Sequence, residues 1–79
     1  MSLMKQYKED TEWLTMRAME AAWLSDPVER AESLSMMFRD CGTLSLAYHS
    51  PIEVAAKLTQ IVAETYATEF MAQREGKAA

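Results

Sequence analysis

The chain has 79 residues and a mass of 9.0 kDa, room for one small domain and no second. Hydrophobic residues make up 49% and charged residues 25%, which excludes wholesale disorder, and only 2 Gly and 2 Pro argue against a turn-rich β-barrel or sandwich. Eight Lys and Arg against 12 Asp and Glu leave a net charge of −4, and 1 Cys excludes an internal disulfide and a multi-cysteine zinc site.

The first predicted helix runs from about Leu3 to Leu24. Leu3, Tyr7, Thr11, Leu14, Ala18, Ala21 and Ala22 fall on one stripe at helical spacing. A break comes next, at Ser25-Asp26-Pro27-Val28-Glu29. Asp26 fits an N-cap, because its carboxylate accepts orphan N–H groups of the first turn. Pro27 fits the first helical position, where a missing N–H costs nothing.

The second predicted helix runs from about Pro27 to Cys41. Its expected inner stripe is Ala31, Leu34, Phe38 and Cys41, with Met37 at the flank. Gly42 suits the left-handed residue that stops a helix. Residues 42–50 are then expected to form a loop or short turn that drops Leu44 and Leu46 into the core. Leu44, Leu46 and Tyr48 alternate as in a strand, but a lone strand has nothing to pair with.

Ser50-Pro51-Ile52-Glu53 repeats the cap grammar and opens the third helix, from about Pro51 to Arg74. Val54, Ala55, Leu58, Ile61, Val62, Thr65 and Tyr66 form its apolar face, and Glu53, Lys57, Gln60 and Glu64 its polar one. Residues 75–79 read as a frayed tail. The expected fold is all-α: a single domain over residues 1–79, a small three-helix antiparallel bundle completed by dimerisation. From surface scaling, a chain of this size buries only roughly 60–65% of its unfolded surface, so a second chain would help it.

The charge is spread along the sequence. No segment forms a basic patch, so direct nucleic-acid binding is disfavoured. The connection between the second and third predicted helices is about nine residues, against the three or four of a helix-turn-helix. No signal-peptide apolar run succeeds Met1, and the longest uncharged stretch, Cys41 to Ile52, is too short and polar to span a bilayer. The expected location is the cytoplasm, with Cys41 reduced and no membrane contact.

The catalytic inventory is thin. Cys41 and His49 are the single Cys and the single His, and nothing orients them as a nucleophile and base. No His or Glu spacing suits a helical metal site, and no glycine-rich loop suits phosphate. The expectation is therefore a non-enzyme, with no metal and no cofactor.

The informative anomaly lies in the second half of the first helix. Trp13, Met16, Met19 and Trp23 occupy a second apolar face, with Glu20 among them. A helix that is apolar nearly all round is buried on more than one side. Trp offers a large rigid contact area and Met adapts to a partner's shape. This face is expected to be a dimer or partner interface; the alternative is that the two Trp pack internally against the third helix or under the loop. Glu29, Glu32, Met36 and Asp40 share the outward stripe of the second helix. They form a second candidate surface, suited to a basic, partly apolar patch on another protein.

The expected function is a small acidic cytoplasmic protein–protein interaction module. It would serve as adaptor, chaperone or inhibitor of a larger partner, of the bacterial or phage accessory-protein type, and would also form a homodimer. The alternatives are a small-ligand or nucleic-acid-associated regulatory dimer, and a structural subunit of a larger assembly.

Overall fold

The structure, a computed structural model, describes residues 2–78, with side chains through Gly76. Helix α1 spans Leu3–Ala22, α2 spans Pro27–Ser45 and α3 spans Pro51–Ala78. No strand occurs among the described residues. The three helices pack against one another as a small all-α bundle.

The helix starts are set by local chemistry. The Ser2 hydroxyl accepts the Lys5 N–H at 3.2 Å and caps α1. Asp26 accepts the Val28 N–H at 3.1 Å, with Pro27 at the first position of α2. The Ser50 carbonyl takes the Val54 N–H at 3.0 Å at the head of α3. The end of α1 is also tied. The Arg30 guanidinium donates to the Leu24 carbonyl at 2.8 Å and the Ser25 carbonyl at 3.2 Å. That sets a cation where the helix dipole favours one.

The helix ends depart from the sequence reading. α1 stops at Ala22 rather than Leu24, and the N–H groups of Trp23 and Leu24 tighten onto Glu20 and Ala21 carbonyls. α2 does not stop at Gly42 but runs through it to Ser45, and no described glycine has a positive φ. Gly in a helix interior costs about 1 kcal/mol against Ala. Burying Ser45 and seating Leu44 on the core outweigh that cost. The connection shrinks to the five residues between Ser45 and Pro51. Leu46 does not enter the core; it is 74% exposed. The tail expected to fray is helical through Ala78, and Ala79 lies outside the described residues.

The core is Leu14, Ala18 and Ala21 from α1, Met37 and Cys41 from α2, and Leu58 and Val62 from α3. Tyr7, Leu34, Leu44, Val54 and Tyr66 close around it. The inner row of α2 is rotated relative to the expected stripe. Met37 is fully buried, while Ala31 and Phe38 are exposed. Extending the helix adds Leu44 and Ser45 to the row of Leu34, Met37 and Cys41. At 100° per residue that row leaves Ala31 and Phe38 off to the side.

Contacts across the bundle fix the directions. Arg17 meets Asp40, so α1 and α2 run antiparallel. Arg30 lies over the Phe70 ring at 5.2 Å, so α2 and α3 run antiparallel. Trp23 meets Glu69 and Asp10 meets Tyr48, so α1 and α3 run parallel. α3 has 28 residues against 20 in α1. At 1.5 Å per residue it is about 12 Å longer, and its last turns run beyond the other two helices.

Candidate functional site

The second apolar face of α1 stands open to solvent. Trp13 is 40% exposed, Met16 56%, Met19 41% and Trp23 57%. The internal packing considered for the two Trp is therefore partial. The Trp13 ring carries the Arg17 guanidinium at 4.8 Å from its centre. The Trp23 indole N–H donates to the Glu69 carboxylate at 2.7 Å. The Trp13 ring is thus covered on one face by a cation and the Trp23 ring is tied through its N–H, and each keeps a large exposed area. Met16 and Met19, with Thr11, Glu12, Thr15 and Glu20, line a shallow hollow on this face.

The second candidate surface divides. Glu29, Glu32 and Met36 are exposed on α2. Asp40 is instead turned toward α1, where it accepts from Arg17 at 3.1 Å. The same guanidinium thus lies between the Trp13 ring and the Asp40 carboxylate. Both ends of the pair keep about a third of their side-chain area in water, so the pair is worth about 0–1 kcal/mol. Its main effect is to fix register between two helices. Met36 sits with Pro27, Val28, Ala31, Glu32 and Ser35 around a second shallow apolar hollow.

The sequence reading missed a polar cluster at the other end of α1. Asp10 falls on the buried stripe of the helix. Gln6 donates to one of its oxygens at 3.1 Å and the Tyr48 hydroxyl to the other at 2.7 Å. Tyr7 meets the Tyr48 ring edge-on, with centroids 6.0 Å apart. Burial pushes the Tyr48 phenol up from its ordinary value, and its hydrogen bond to Asp10 adds to this. The cluster clamps the α2–α3 connection onto α1. The signal in the sequence was a lone Asp inside an apolar row, which demands partners if it is buried.

Cys41 and His49 do not come together. Cys41 is fully buried, and burial pushes its thiol up; His49 is exposed. Met36 and Met37 face opposite ways, one to solvent and one to the core. Among the described residues no group of three His, Cys, Asp or Glu could hold a metal ion. No helix among them is long and apolar enough to cross a membrane.

Comparisons with protein-family models, with curated proteins and with solved structures find no match.

Proposed function

We propose that the chain is a small protein-binding module, acting on a larger partner as an adaptor, chaperone or inhibitor does, with the outer face of α1 as its docking surface. One observation carries this: four large apolar side chains, Trp13, Met16, Met19 and Trp23, stay more than a third exposed on a single helix face. Contiguous exposed apolar area of this kind marks a binding surface in a folded chain. Tryptophan and methionine are also the residue types enriched at such surfaces. The homodimer expected from the sequence is one form of this reading, since a second copy is also a polypeptide partner.

The test is a size comparison in host extract. The tagged wild-type chain should elute in a complex, well above its own 9.0 kDa. The Met16→Glu, Met19→Glu double variant should keep its helical circular dichroism and elute as the free chain. Both sites are exposed, so the fold tolerates them. Elution of both proteins in one same complex, or of both as free chains, would contradict the reading.

A further inference from the structure

The two candidate surfaces lie on either side of one seam. Arg17 and Asp40 fix the register between α1 and α2 at 3.1 Å. Farther along, Glu20, Ala21 and Leu24 gather with Ser33 around a small hollow, which gives the same register. In an antiparallel pair, steps toward the C-terminus of one helix match steps toward the N-terminus of the other. Glu20 is therefore level with the Met36–Met37 turn. Met36 lies one helical turn before Asp40, at the solvent edge of that side of α2. Trp13, Met16 and Glu20 thus flank the seam from α1, and Glu29, Glu32 and Met36 flank it from α2. This seam is also the least extensively packed of the three helix–helix contacts.

We propose that this seam is a receptor groove for a basic amphipathic helix of a different protein, which docks as a fourth helix of the bundle. The inference rests on the docking face assigned above and names its occupant. A groove between two antiparallel helices accepts a third helix by ridge-into-groove packing, and an apolar stripe at i, i+3 and i+7 meets exposed Met and Trp.

Charge selects the sign of the partner. The face carries the carboxylates of Glu12, Glu20, Glu29 and Glu32 and, outside the Arg17–Asp40 pair, two bases, Lys8 and Arg39. Four acids less two bases give −2, out of a net −4 for the whole chain. The face therefore keeps an acidic excess beside the exposed methionines. A helix with Lys and Arg beside its apolar stripe would meet these carboxylates at the rim, where complementary charge speeds encounter and rejects wrong partners. A second copy fits poorly. A two-fold self-interface would bring two copies of the same acidic excess together. Phosphate backbones and anionic lipid surfaces are repelled for the same reason.

The test uses a synthetic helical peptide of roughly 18 residues, about five turns, with Leu along one face and Lys and Arg along the other. The control peptide carries Glu in place of Lys and Arg. Methionine methyl groups labelled with carbon-13 report the site. The basic peptide is expected to shift Met16, Met19 and Met36 and to leave Met37 and Met71 in place. The acidic peptide should shift none. Affinity should fall about ten-fold or more between low and high salt.

Glu20→Lys with Glu32→Lys should weaken binding about ten-fold, because each charge reversal replaces attraction with repulsion. Glu53→Lys with Glu64→Lys changes net charge equally on the far side of α3 and should leave affinity within about two-fold. Equal loss from both pairs, shifts centred on Met71, or no binding would overturn the proposal. Shifts at Met16 on raising the concentration of the chain alone would overturn it in favour of a second copy and leave the docking face standing. If the double Met variant keeps its complex in host extract, the docking face itself fails.

Discussion

At Asp10 a single polar residue organises one end of the molecule. It sits in the buried row of α1, and its two oxygens take hydrogen bonds from Gln6 and Tyr48. Among the described residues no buried side-chain nitrogen or oxygen lacks a partner. Removing the Tyr48 hydroxyl leaves one Asp10 oxygen without its donor. Tyr48→Phe should therefore cost about 1–2 kcal/mol at neutral pH, read by urea denaturation. The pH dependence has a definite sign. The Tyr48 phenol titrates above its ordinary value of 10.0, so the folded chain holds that proton more tightly than the unfolded chain. Its contribution is full below pH 10 and is lost as pH rises toward the folded value. The raised Cys41 thiol acts in the same direction in both proteins. The wild type should thus lose more stability than Tyr48→Phe between about pH 9 and 11.5. Equal losses would mean that the phenol does not couple to folding.

At the scale of the helices, the starts were legible in the sequence and the ends were not. Asp26-Pro27 caps and opens α2 as its chemistry dictates. Such signals are local, and a structure has little reason to override them. Gly42 was ambiguous because a glycine ends a helix or sits inside one according to the fate of the residues after it. Leu44 and Ser45 find burial only if the helix continues, and that is a tertiary gain invisible to a local reading. The same extension turned the inner row of α2 onto Met37 and left Phe38 outside. α3 was read correctly over its apolar face because a period of 3.6 holds over many turns. The sign of one substitution separates the two readings of Gly42. A Cβ placed there meets nothing within 4 Å, and the residue is helical. Gly42→Ala should stabilise the chain by about 0.5–1 kcal/mol, seen as a higher urea midpoint with an unchanged slope. A left-handed cap at Gly42 would give the opposite sign.

For the whole molecule, the bundle accounts for the core but leaves part of the apolar surface unused. Leu14, Met37, Leu58 and Val62 are fully enclosed, while the Trp13 to Trp23 face of α1 is not. The doubled apolar character of α1 was legible as a pattern, because Trp13, Met16, Met19 and Trp23 lie at helical spacing opposite the core stripe. That the α2 surface borders the same seam was not legible. Register between two helices depends on a long-range pair such as Arg17 and Asp40, 23 residues apart in sequence. The exposure of Ile52, at 88%, does not carry the same meaning. It stands alone at the head of α3, and single exposed apolar residues are ordinary.

The claim that the α1 face docks another polypeptide is tested most directly by photo-crosslinking in the host cell. A benzophenone amino acid replaces Met16 or Met36 in the seam, or Lys57 on the exposed side of α3. The expected result is a discrete protein adduct from both seam positions and none from Lys57. Adduct from all three positions at equal yield, or from Lys57 alone, or from none, would contradict the assignment of this face.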